Sequence, residues 1–417
     1  MKPATKVIHR GRARPAEAAP LTTPIYETTT FVFDSAAEVE AHAEGRSSRH
    51  LYSRYENPTV EATEAVVAEL EGAEEARLFG SGMAATVTTL AGLLKAGDEV
   101  VCCAAIYGGT LKLFTDLLTK FGVCVRLVDL EAFGRPADVL RDETRLLWFE
   151  SPINPTLRCL DVEAIGAACR ARGVTSVIDN TFASPINQAP LACCIDLVMH
   201  SATKYLNGHS DVTGGAVAGR TDLMSTVGAT RRLMGTVLDP HAAYALGRGL
   251  KTLAVRIARH NTNALAVAQF LEADRRVRRV YYPGLASHPD HAIAARQMRG
   301  FGGIVCLDLE GGLARAAAFF DRLQLFARAA SLGGVESLCS LPVLTSHHGL
   351  SAEALTRAGV SAGMARLSVG LEAPEDLVAD LDRALGVGEV QIGKPVGVDQ
   401  RDDGVDVEAA LQGRLAE

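Results

Sequence analysis

From residue 75 to residue 204 the chain alternates short apolar runs with stretches of helical periodicity, and few folds accept that rhythm. The runs are ARLF, EVVCCA, VCVRLVDL, RLLWFE, VTSVID and IDLVMHS. Between them lie MAATVTTLAGLL, TLKLFTDLLTKF and VEAIGAACRARG, whose apolar residues recur at helical spacing. The runs are continuous in polarity, as in strands buried on both faces. Strand–helix–strand at this interval gives βαβ units and a mostly parallel sheet with helices on both faces. The expected fold class is therefore α/β.

Residues 57–245 are the expected large domain. NPTVEATEAVVAELEGAEEA opens it as an amphipathic helix, capped by Asn57 with Pro58 in the first turn. Residues 1–56, rich in Pro, Thr and Arg, read as an irregular N-terminal arm. ALGRGLKTLAVRIARHNTNALAVAQFLEAD is one long helical pattern leading into a smaller α+β domain, residues 246–388. Residues 389–417 are expected as an extension adding little to the core, with VEAALQGRL a short helix within it.

A formal net charge of −7 argues against nucleic acid as a partner, which wants a basic face. The nine cysteines show no CxxC or Cys/His zinc spacing, and an odd number without a framework fits a reducing compartment. The first twenty residues lack the apolar core of a secretory signal, and no window has the ~20 apolar residues of a membrane span. The cytoplasm is the expected location, with no membrane partner. His288 and His291 in SHPDH have ligand-like spacing, but no carboxylate or cysteine set completes a site, so no metal is expected. His347 and His348 read as loop residues, and Cys102 and Cys103 as core packing.

Ligands of a parallel sheet bind outside the carboxyl ends of its strands, so the residues delivered there matter most. LFGSGMAA passes through Gly-Ser-Gly into a helix, where the backbone N–H groups of Gly82 and Met83 offer a phosphate site. VTSVID ends in Asp179. RLLWFESPINP delivers Glu150 and Asn154. IDLVMHSATK delivers Ser201, Thr203 and Lys204. Each alone has an ordinary reading: a tight turn, a helix cap, a proline-fixed loop, a solvated lysine. Together they supply a phosphate cradle, an acid for a ring nitrogen and a Schiff-base lysine, which is what pyridoxal 5'-phosphate requires. A kinase-type P-loop is excluded because G-x-x-x-x-G-K-[ST] is absent, and G-x-G at 80–82 lacks the later glycine and acid of a dinucleotide site.

In order along the chain stand YSRYENPT, GSGMAA, YGGT, ESPINP, DNTF, HSATKYLNGHSD, RGLKTL, SLGGVESL and RLSVGLE. With these motifs the chain resembles the Cys/Met-metabolism pyridoxal-phosphate enzymes over residues 5 to 388. That family includes cystathionine γ-synthase, cystathionine γ-lyase, methionine γ-lyase and the acylhomoserine sulfhydrylases. The resemblance implies the fold type I transferase architecture. It implies that Lys204 carries the cofactor, that Asp179 holds the pyridinium nitrogen and that Asn154 contacts the ring hydroxyl. Gly82, Met83, Ser201 and Thr203 would hold the phosphate. Tyr52 and Arg54 would reach the phosphate of the neighbouring subunit, making the protein a homo-oligomer, a tetramer built from dimers that share active sites. Tyr107 would stack on the ring and act as acid at the leaving sulfur. Ser331 would lie near Lys204, and Arg366 would clamp the substrate carboxylate.

The implied activity is γ-elimination from a small-molecule sulfur amino acid such as methionine, cystathionine or a related thioether, giving 2-oxobutanoate, ammonia and a thiol. The alternative is a γ-replacement synthase joining an activated homoserine ester to a thiol. Three positions depart from the familiar patterns. Ala330, before Ser331, stands where cystathionine enzymes have a glutamate. Gly109 stands where methionine lyases have a cysteine, and Lys112 where cystathionine enzymes often have an arginine.

Overall fold

The computed structural model describes residues 1–9, 20–349 and 351–386. Both of its sheets belong to one compact unit, residues 1–386. The extension 389–417 and its expected helix VEAALQGRL lie outside the described residues.

The large sheet has seven strands: β1 (Glu75–Phe79), β2 (Glu99–Cys103), β3 (Cys124–Val128), β4 (Thr144–Glu150), β5 (Thr175–Asp179), β6 (Leu197–Ser201) and β7 (Gly215–Gly219). Their order is β1-β7-β6-β5-β4-β2-β3. The pairs among β3, β2, β4, β5 and β6 are parallel, while β7 runs antiparallel to both β6 and β1. Six strands thus end at the same edge, and β7 alone returns. The continuous apolar runs have their explanation here: Leu146, Leu147, Trp148 and Phe149 of β4 are all buried, one strand covered on two faces. The core around them gathers Phe79, Phe114, Phe133, Val177 and Val198.

The second sheet holds β8 (Arg279–Tyr281), β9 (Ile304–Asp308), β10 (Ala327–Arg328), β11 (Leu338–Ser340) and β12 (Met364–Ser368), in the order β10-β11-β12-β9-β8. All its pairs except β10–β11 are antiparallel, matching the α+β expectation.

Several boundaries differ from the sequence reading. The helix capped by Asn57 spans Pro58–Glu71 and stops where Gly72 takes a left-handed conformation (φ 71°), so EEA passes into β1 rather than extending the helix. The arm is not wholly irregular: it contains helices Pro3–His9 and Ala36–Ala43. Ser35 caps the second by accepting from the Glu38 backbone N–H, a local signal in the sequence. TLKLFTDLLTKF is not one helix. It divides into an α turn (Gly108–Lys112), a π turn (Leu113–Leu117) and a 3₁₀ turn (Leu118–Phe121). The long pattern after residue 240 forms two helices, Pro240–Leu250 and Leu253–Ala273. No helix among the described residues is long and apolar enough to cross a membrane.

Candidate active site

β1 leads through Gly80 and Ser81 into the helix Gly82–Leu93. Ser81 caps that helix, its hydroxyl accepting from Ala84 N–H at 3.0 Å. The first N–H groups of a helix have no partner within it and carry partial positive charge. The turn can close only because two glycines leave room. A Cβ on Gly82 would stand 3.0 Å from Ser201 Cβ, and one on Gly215 of β7 would stand 2.1 Å from the Ser81 carbonyl oxygen. Gly82, Met83, Ser201 and Thr203 all line a cavity of about 560 Å³.

β4, β5 and β6 deliver the remaining groups side by side. Glu150 and Asp179 end neighbouring strands in direct register. Ser201 N–H donates to Thr181 Oγ1 at 2.8 Å, and Thr181 N–H donates to Asp179 Oδ1 at 3.0 Å, so the DNTF turn is tied to both strands. Lys204 follows in a turn, and its Nζ donates to Ser331 Oγ at 3.0 Å. Arg366, on β12, is 8% exposed; it donates through Nη1 to Asn154 Oδ1 (2.9 Å) and through Nη2 to the Ser331 carbonyl (3.1 Å). Its Nε is buried without a hydrogen-bond partner. Asp179, Asn154, Lys204, Ala330, Ser331, Arg366 and Tyr107 all line the same cavity.

The electrostatics are unusual. Burial, reinforced by the Arg366 guanidinium, pulls the Lys204 ammonium below the ordinary lysine range. Burial also raises Asp179, although its bonds to Thr181 and the field of His200 oppose the rise. Glu150 goes up as well, first by burial and then by the Asp179 charge beside it. Behind Asp179, His200 and Glu71 form a fully buried pair.

Of the sequence candidates, Tyr52 and Arg54 alone do not line this cavity. Arg54 lies 4.7 Å from the Tyr55 ring centroid and donates to the Arg232 carbonyl at 2.6 Å, while Tyr52 is 39% exposed. Tyr107 stands at the rim, 45% exposed, with its ring folded against Gly109. A Cβ at 109 would meet Tyr107 Cε1 at 2.5 Å, so the glycine permits this ring position. Lys112 is exposed. His288 Nδ1 accepts from Asp290 N–H and His291 Nδ1 bonds the Pro283 carbonyl, so both histidines serve their loop. Among the described residues, possible metal ligands cluster at His50, Glu56 and Glu61, outside the cavity, where His50 already pairs with Glu61 and Glu56 with Arg232. Sequence reasoning gave no role to Glu150, Thr181, Thr345 or Ser346, all of which line the cavity. An acid ending a buried strand beside a second such acid was the available signal for Glu150.

The donor set fits pyridoxal phosphate. Glycine-backed N–H groups, two hydroxyls, a buried carboxyl and an amine of reduced basicity line one cavity. The model for the Cys/Met metabolism PLP-dependent enzymes matches residues 4–386. Cystathionine gamma-lyase of Dictyostelium discoideum is 42% identical over 91% of this chain and 97% of its own length. Cystathionine beta-lyase of Lactococcus lactis subsp. cremoris is 41% identical over 91% and 98%, and L-methionine gamma-lyase of Pseudomonas putida 40% over 92% and 96%. The crystal structure of cystathionine gamma-lyase from Lactobacillus plantarum, complexed with L-serine, has a TM-score of 0.87 at 37% identity, covering 92% of this chain and 98% of that one. The chain belongs to the Cys/Met-metabolism family of PLP-dependent enzymes. Pyridoxal 5'-phosphate is its cofactor.

Proposed function

We propose that this enzyme is a carbon–sulfur lyase acting by γ-elimination on methionine, cystathionine or a related thioether, with 2-oxobutanoate, ammonia and a thiol as products. The observation that carries this reading is the meeting, in one cavity, of a lysine amine of lowered basicity, a rim tyrosine and a buried arginine with an unpartnered Nε. Relatives whose names specify cystathionine and methionine lyases support it.

Bound pyridoxal phosphate supplies an electron sink conjugated to the substrate's α-carbon. Gly82 and Met83 N–H groups, with Ser201 and Thr203, would hold its phosphate, Asp179 would serve its ring nitrogen and Asn154 its hydroxyl, and Lys204 would anchor it. With the substrate held there, the Lys204 amine, whose basicity burial lowers, would take the proton from Cα, and loss of a Cβ proton would then supply the electron pair that expels the γ-sulfur. Arg366 grips the α-carboxylate in the fork geometry a guanidinium offers. Tyr107 gives a proton to the departing sulfur. Ala330 places no charge in the wall, which suits a small or apolar substituent beyond the sulfur.

The reading includes an oligomer, a tetramer built from dimers in which Tyr52 and Arg54 complete the neighbour's site, working in the cytoplasm. All nine cysteines are free thiols, as a reducing compartment requires.

The test supplies methionine, cystathionine and homocysteine separately to the purified holoenzyme, and O-acetylhomoserine with and without a thiol. Keto acid and ammonia are then assayed. 2-Oxobutanoate from a thioether alone is expected. Pyruvate from cystathionine would instead mean cleavage at the β-carbon. Turnover only with an ester and a thiol together would mean a replacement synthase.

A further inference from the structure

Glu150 is 6% exposed at the end of β4, beside Asp179. A buried carboxylate costs on the order of several kcal/mol unless partners compensate. Elsewhere this chain compensates such groups with cations or an imidazole: Glu64 meets Arg231 at 2.6 Å, and Glu71 meets His200. Among the described residues no cation lies within ion-pair distance of Glu150. Its two oxygens accept instead from two backbone N–H groups, Tyr107 N at 3.0 Å on Oε2 and Asn154 N at 2.9 Å on Oε1. A residue kept only for packing at this position would not need two acceptor oxygens, each taken by a backbone N–H.

The two amides belong to separate segments that both line the cavity, one after β2 and one after β4. Tyr107 begins the turn Gly108–Lys112 and makes no side-chain cap of its own, so the bond from its N–H to Glu150 holds the start of that turn. Asn154 accepts from Arg366, Arg366 donates to the Ser331 carbonyl, and Ser331 Oγ accepts from Lys204. The hydrogen bonds therefore run without a break from Tyr107 through Glu150, Asn154, Arg366 and Ser331 to Lys204.

We infer that Glu150 is a positioning residue for this site: its carboxyl group is the shared acceptor that registers the Tyr107 turn against the Asn154–Arg366 wall. It acts through the placement of a proton donor and a carboxylate clamp. The consequence for turnover rests on the elimination reading above; the structural coupling does not.

The test substitutes Glu150→Gln in the holoenzyme. The amide keeps the shape but offers one acceptor oxygen, and its NH₂ opposes the second N–H. Hydrogen exchange followed by mass spectrometry reads the segments containing Tyr107 and Asn154, and at least one is expected to exchange about tenfold faster while distant helices are unchanged. With the thioether that the wild type turns over, kcat is expected to fall about 10- to 100-fold, because small misplacements of reacting groups cost that much. In a Tyr107→Phe background the same substitution is expected to lower kcat less than about threefold, as for residues acting as one unit. Unchanged exchange at both segments would overturn the proposal, as would kinetic constants within twofold of wild type or a full loss repeated in the Tyr107→Phe background. Should Glu150→Gln fail to fold, Glu150→Asp puts the same question, since it keeps the carboxyl group but is one methylene too short to span both amides. A wild type inactive on every thioether would sink the elimination reading, and the exchange measurement would still decide the coupling.

Discussion

An ammonium group just past the end of a buried strand is costly unless it has a partner or a reaction. Lys204 has a hydroxyl partner in Ser331 and, beside Arg366, an environment that disfavours its charge. That position was legible from the run IDLVMHSATK alone. Glu150 was not, because the prolines around it gave a sufficient local reason for the loop, and its two partners include a backbone N–H forty-three residues away. At Ala330 the sequence and the structure bear on the same question. This residue is exposed towards the cavity and precedes the serine that holds Lys204. A carboxylate introduced there would offer a counter-charge to the distal amine of cystathionine and nothing to the methyl of methionine. Ala330→Glu is expected to raise the ratio of kcat/KM for cystathionine over methionine by about tenfold, or ~1.4 kcal/mol, the scale of one hydrogen bond to a charged group. Keto-acid assays with the two substrates measure it, and an unchanged ratio would move the specificity wall elsewhere.

Among the elements, the parallel strands were the most legible, since a run such as RLLWFE buried on two faces leaves a pattern that needs no tertiary information. The helices were harder where a tertiary contact sets the break. The long pattern after residue 240 stops at Lys251 because Arg256, buried from the following helix, donates to the carbonyls of Tyr205, Leu206 and Gly249. Gly249 itself leaves no room, since a Cβ there would stand 2.3 Å from the Asn207 carbonyl oxygen. Tyr205, Leu206 and Asn207 all lie more than forty residues away in sequence. The returning strand β7, GAVAG, is small-residued for a similar reason: its first glycine lies against the cap of the phosphate-facing helix. Gly215→Ala would drive a methyl into the Ser81 carbonyl and the Ala85 side chain, at 2.1 and 2.9 Å. The expected cost is about 1–3 kcal/mol of stability or more. Because the displaced turn carries Gly82 and Met83, weaker cofactor binding is expected as well. Urea denaturation and titration of the apo-protein with pyridoxal phosphate read the two effects, and a variant as stable and as tightly loaded as the wild type would contradict the packing argument.

At the scale of the whole molecule, the proposed oligomer divides the site between one chain and its neighbour. The cavity takes Lys204, Asp179 and Arg366 from its own chain, drawn from both sheets. Tyr52 and Arg54 lie outside that cavity, in an arm whose exposed residues include Leu21, Val32 and Tyr52 itself. Exposed apolar side chains next to a stacked arginine are the makings of a contact surface. If the two residues complete a partner's phosphate site, defects in Lys204 and Arg54 should complement across a dimer. Subunits carrying Lys204→Ala and subunits carrying Arg54→Ala, mixed under conditions that let them exchange, would form mixed dimers in which one site has both wild-type residues and the other has neither. Random pairing in equal amounts makes half of the dimers mixed, so about a quarter of all sites should be intact. The mixture is expected to recover about that fraction of wild-type turnover, while Lys204→Ala alone has none and Arg54→Ala alone has little. Activity that merely averages the two parents would mean that each chain holds its phosphate unaided, and that the arm assembles the oligomer without entering its chemistry.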